Sequence, residues 1–148
     1  FASKGQNLDT GASAIHAAPH TSANISTRTI SKAGGKATYR SAVKVTPNAH
    51  HAKCSVNCES LMLDDLSRSD TLPVMDIQGD EADIGHEATI GRISEEAVFY
   101  LMCRGISEEE ARAMIVRGFV EPIAKELPLE YAVEMNNLIN IELEGTMG

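Results

Sequence analysis

From Gly11 to about Ile93 the chain repeats short alternating runs of apolar and small polar residues, and no helical pattern interrupts them. The runs are Ser13–His16, Ala23–Thr27, Ser41–Val45, Ser60–Leu63, Val74–Ile77 and Ala82–His86, each bounded by Gly, Pro, Asn or Asp. Alternation over strand length bounded by turn residues marks a half-buried strand. A doubly wound sheet would need a helix of roughly 10–15 residues between successive strands. Its absence excludes that architecture and predicts an all-β body. Many short strands with small inward side chains suit a sandwich, a barrel or a stacked β-solenoid, and periodicity leaves the three open.

After Ile93 the period becomes helical. Ser94 is placed to cap a helix whose first turn carries Glu95 and Glu96, favourable at the positive end of the dipole. Val98, Leu101 and Met102 share one face, and Gly105 is placed to end the helix. Ser107 with Glu110 forms a capping box ahead of Ala111, Met114 and Ile115, and Gly118 is expected to close that second helix. Pro128 opens a third, with Tyr131, Met135, Leu138, Ile139 and Glu142 at three- and four-residue spacings. Three short helices bury little core alone, so their apolar faces require the β body or a partner.

Composition sets outer bounds. The 148 residues, 43% of them apolar, suffice for one core and argue against wholesale disorder. No apolar run approaches the ~18–20 residues that cross a bilayer, so no membrane partner is expected. No signal-peptide pattern is present, and the start at Phe1 suggests a fragment of something longer. Three cysteines are too few for a disulfide framework, and the odd count points to free thiols in a reducing compartment. Residues 1–53 carry seven Lys or Arg against Asp9 alone, a net of +6, whereas residues 54–148 sum to −14. The seven cations are spread evenly and only Phe1 and Tyr39 accompany them, so a nucleic-acid partner is not expected.

Few residues could carry chemistry. On an uninterrupted strand His50, Cys54 and Cys58 would share a face, with His51 opposite. The C-x3-C spacing is not that of a structural zinc site, and Cys103 sits in an apolar helical pattern that predicts burial. His86 and Glu87 are neighbours able to bind a metal or move protons. Cys58 with a His base would suit a cysteine hydrolase, although no motif specifies one. Gly34-Gly35-Lys36 lacks the spacing of a phosphate loop and reads as a turn. Three thiols cannot supply the four of a conventional iron–sulfur cluster, so any such chemistry requires mixed oxygen or nitrogen ligation or a second chain.

Read together, Asn57–Leu63, Ser69–Pro73, His86–Ile93, Phe99–Ala111 and Glu126–Ala132 closely resemble the SufB scaffold proteins of the Suf iron–sulfur cluster assembly machinery, within the SufB/SufD family. The resemblance runs over nearly the whole chain, with the motifs in matching order. It implies a right-handed parallel β-helix, truncated here to its C-terminal rungs over residues 1–91, and a helical domain over 92–148 that docks the ATPase subunit SufC. It implies a non-enzymatic scaffold that builds a transient cluster at an interface with SufD, driven by SufC. Cys58 then matches the family's interface cysteine, and His86 with Glu87 its proposed non-cysteine ligands. Gly85 stands where some relatives carry a further acid, and Cys54 has no assigned family role. Sulfur donors would act through a part of the protein upstream of Phe1, and the family's flavin cannot be placed on these residues. The location implied is cytoplasmic, or plastidic in a plastid-bearing organism. The alternative is a SufD-like interaction module with no cluster of its own, and the open first rung at Phe1–Ser13 would favour self-association.

Overall fold

The computed structural model describes residues 1–144 and forms two compact units, Phe1–Arg92 and a helical one from Ile93 onward. The first contains six ten-residue strands: β1 (Asn7–His16), β2 (Ser22–Ser31), β3 (Lys36–Val45), β4 (Lys53–Met62), β5 (Arg68–Ile77) and β6 (Asp83–Arg92). They form two three-stranded sheets of order β1-β3-β5 and β2-β4-β6, parallel at every pairing. Consecutive strands thus alternate between sheets, and each pair of strands makes one rung of a parallel β-helix-like stack. This resolves the choice left open by periodicity in favour of the solenoid.

Register explains the patterning. Asn7 pairs with Lys36, Lys36 with Arg68, Ser22 with Lys53 and Lys53 with Asp83, so each residue lies beside one roughly thirty positions away. Side chains alternate faces along a strand, and stacked strands keep like faces together. The middle rung is therefore buried by rungs on both sides: Tyr39, Val43, Val45, Cys54, Val56 and Cys58 form its core, with Ala14, Ala23, Ile25 and Ile84 packed against it. The outer charges pair between rungs, Arg40 with Asp9 at 2.9 Å, Lys36 with Asp70 at 2.9 Å and Arg28 with Glu59 at 2.8 Å. Arg28, Lys36 and Arg40 thus each meet a carboxylate on a neighbouring rung. The exposed pairs contribute little individually, whereas Arg28–Glu59 is partly buried.

The corners are tied by local chemistry. Gly35 approaches the backbone so closely that an added Cβ would run into the Ala2 carbonyl. Asp64 bridges two successive corners, accepting from the backbone N–H groups of Leu66 and Ser67 at 2.8 Å, from Ser67 Oγ at 2.9 Å, and from Ala33 N–H.

In the second unit, α1 (Glu95–Met102), α2 (Glu108–Ala124) and α3 (Leu129–Glu144) follow the predicted starts. Ser94 accepts from Ala97 N–H and Ser107 from Glu110 N–H, as their cap positions require. Gly105, at φ 87°, closes α1 with Ile106 N–H on Leu101 O and Gly105 N–H on Met102 O. Gly118 does not end α2, which runs on through Pro122 to Ala124. A glycine inside a helix costs only about 1 kcal/mol relative to alanine, which flanking turns can absorb. Cys103 caps α1 and is exposed, against the expectation of burial.

Burial works against ionisation of Asp64, but its hydrogen bonds from Ser67, Leu66 and Ala33 prevail and hold its carboxyl below the ordinary value of 3.8. A lowered folded-state pKa stabilises the fold above pH 3.8, and that contribution disappears as pH falls through the folded value. Asp64→Ala should therefore destabilise the protein by about 1–2 kcal/mol at neutral pH. The deficit, read by denaturant unfolding, should shrink as the parent is acidified below that range.

Candidate functional site

The inner row of β4 carries Cys54, Val56, Cys58 and Ser60, all buried. In the adjoining strand β6, Ile84 pairs with Cys54, His86 with Val56 and Ala88 with Cys58. His86 therefore shares the inner face with both thiols and is a diagonal neighbour of Cys58. Its Nε2 is buried and has no hydrogen-bond partner. An orphaned imidazole nitrogen beside a thiol is available for a metal ion or proton, because nothing in the protein already satisfies it.

Glu87 is placed differently. It pairs with Asn57, and this row lies on the outer face of the sheet. The sequence-adjacent His86 and Glu87 thus point to opposite sides of one strand. Among the described residues no group of three His, Cys, Asp or Glu side chains is arranged to hold a metal ion. Around Cys58 the inner face offers one thiol and one imidazole.

Cys58 is 1% exposed, and burial pushes its thiol above the ordinary value; Cys54 is raised for the same reason. Tyr39, in the same core cluster, is also raised, chiefly by burial and further by the charge Cys58 would carry as a thiolate. This is the reverse of an activated nucleophile, which needs a depressed pKa and access to substrate. The hydrolase expectation loses its physical basis.

His50 and His51 do not sit on the faces of β4. The strand begins at Lys53, and the chain turns through Pro47–Ala52 with His51 at φ 57°. There they meet Glu81 and His20, which sequence reasoning did not single out because only the rung register brings them together.

Cys58 lies one strand inside an open end. β5 and β6 are edge strands, and the third rung leaves its inner apolar residues uncovered: Met75 is 39% exposed, Ile77 45% and Ile90 46%. An edge with unpaired backbone groups and exposed apolar side chains is a template for another chain.

Two three-stranded parallel sheets whose strands alternate along the chain define the protein as a parallel β-solenoid. The comparisons are more specific. Residues 1–119 match the family model described as SUF system FeS cluster assembly, SufBD core domain. The chain is 53% identical over its whole length to the iron–sulfur cluster assembly protein SufB of Bacillus subtilis, covering 32% of that protein. It is 53% identical, with the same coverage, to an iron–sulfur cluster assembly SufBD family protein of Staphylococcus epidermidis. A SufBD family protein of Mycobacterium tuberculosis is 52% identical over all 148 residues, which make up 18% of its length. The chain belongs to the SufBD family of iron–sulfur cluster assembly proteins and spans a third or less of these relatives. Among the described residues no helix is long and apolar enough to cross a membrane.

Alkylation reports directly on the thiol environments. At neutral pH iodoacetamide should modify exposed Cys103 first, with Cys54 and Cys58 slower by about tenfold or more until the fold opens. Peptide mass mapping over time would check the order, and rapid labelling of Cys58 would contradict it.

Proposed function

We propose that this chain is the part of a Suf-type scaffold that presents Cys58 and His86 to a nascent iron–sulfur cluster. The observation that carries the reading is the buried, unpartnered His86 Nε2 on the same face as Cys58, one strand from an open solenoid end. A soft thiolate suits iron, and an imidazole or carboxylate can be released on transfer. The cluster is cargo, built here and handed on, so a weakly ligated site suits the task better than a full cage of four thiolates.

Cys58 and His86, with Cys54 four residues away on the same inner row, leave a cluster under-ligated, so the site requires a second surface. A β-helix subunit of the SufD type covering β5 and β6 would bury Met75, Ile77 and Ile90, pair the free edges and bring further donors. Glu87 enters through movement of β6. A one-residue slip of an edge strand exchanges the faces of all its side chains. Reshaping of that edge by an ATPase-driven closure would then carry the Glu87 carboxylate to the inner face in place of His86, so that the two side chains would ligate in turn.

The helical unit is the docking element for the SufC ATPase. α2 and α3 flank a groove of about 330 Å3 lined by Met114, Arg117, Gly118, Glu121, Ala124 and Asn136. Central apolar anchors dominate interface energetics, whereas exposed acids contribute little. In a SufC titration Met114→Ala should weaken binding by about tenfold, and Glu109→Lys by less than about threefold. Equal losses would reject the groove as the docking face.

The cluster site is tested by anaerobic reconstitution with iron and sulfide in the complex with SufC and SufD, followed by absorption and Mössbauer spectroscopy. Cys58→Ser should abolish the cluster, and His86→Ala and Glu87→Gln should each lower its yield severalfold. If all variants hold the same cluster, the ligands lie elsewhere. The chain then serves as an interaction module, a role compatible with its buried, unactivated thiols.

A further inference from the structure

A second group of donor side chains lies at the turns that precede β2, β4 and β6, outside the inner-face row of Cys58. Ser22 pairs with Lys53 and Lys53 with Asp83, so two residues earlier the same ladder aligns His20, His51 and Glu81 on successive rungs. His20 N–H donates to His50 O at 2.8 Å, fastening the first two turns together. The His20 and His51 rings stack with centroids 5.0 Å apart and 24° between their planes. Glu81 Oε2 lies 3.3 Å from His50 Nδ1 and 3.6 Å from His51 Nε2.

Consecutive residues on a strand would send these two imidazoles to opposite faces. Here His51 has φ 57°, a left-handed conformation uncommon outside glycine, and His20 repeats it at φ 57° one rung earlier. The turn therefore brings the His50 and His51 rings to one carboxylate oxygen. All three side chains are more than half exposed, so a bound ion would keep water in its remaining positions and little polar surface would be lost.

We propose that His50, His51 and Glu81 form an exchangeable surface site for a divalent first-row transition-metal ion, with His20 as a positioning residue. Imidazole and carboxylate donors suit zinc, copper, nickel or ferrous iron. The three donors are not yet set around one point. Rotation of the exposed side chains closes the set, Glu81 exchanging its contacts with the two rings for a bond to the ion that the rings share. His20 contributes by stacking on His51 and limiting the orientations of that ring, as supporting residues do around metal ligands. The site uses neither Cys58 nor His86 and stands independently of the cluster-assembly reading.

The test is a Co2+ titration of the whole chain, followed by absorption and calorimetry, with Zn2+ as competitor. The expected result is one saturable equivalent whose spectrum lacks thiolate charge transfer, displaced by Zn2+. His50→Asn and Glu81→Gln should each weaken binding by about tenfold or more. His20→Phe, which preserves the ring stack, should leave affinity within about twofold, whereas His20→Ala should lower it severalfold. Circular dichroism of each variant separates loss of ligand from loss of fold, and Glu81→Gln is isosteric at an exposed position. Unchanged affinity in a His50→Asn/His51→Asn double variant, a thiolate band in the cobalt spectrum, or no saturable binding would overturn the proposal.

Discussion

Parallel pairing at a spacing of about thirty residues is the constraint on which the β unit depends. Because Lys36 pairs with both Asn7 and Arg68, every inner side chain rests on another inner side chain one rung away. The interior between the two sheets must be filled mostly by small or β-branched groups, and Ala, Ser, Val and Cys occupy it. The same register sets opposite charges beside one another on the outer surface and aligns the turns, so that Asp64 can satisfy donors from two corners at once. The one-dimensional contacts of repeat proteins follow directly: each rung is stabilised by its immediate neighbours.

That constraint also shapes the candidate site. β4 is the central strand of its sheet, so Cys58 is buried from both sides, and only small Ala88 stands beside it in the outermost rung. Strand parity admits His86 to the same face and excludes Glu87. A thiol raised by burial stays protonated and unreactive at neutral pH.

Much of the architecture was legible in the sequence, and the exceptions have physical causes. The alternating runs lie on the strands, but each strand extends to ten residues, because Ser, Thr and Gly on the flanks carry little hydropathic contrast. The repeat itself was hidden because paired residues lie 29 apart between β1 and β3 yet 32 apart between β3 and β5, and corner loops absorb the difference. Helix starts were readable from Ser94 and Ser107, whose capping is local chemistry. Gly118 misled because interior glycine is tolerated, and Cys103 because an apolar pattern does not say which face finds a partner. Period-two parity alone would have separated His86 from Glu87 once they were placed on one strand. The association of His20 with Glu81 was beyond reach, since it depends on a register that no local signal encodes.

The free edge of β5 and β6 has a consequence for assembly. A parallel stack is polar, so a further rung added to that edge in the existing direction would leave the same kind of edge exposed again. Pairing that stops growth requires like edges to meet about a two-fold or pseudo-two-fold axis, which makes the new pairing antiparallel. Termination of growth, as much as recognition, is therefore written into the direction in which the strands run.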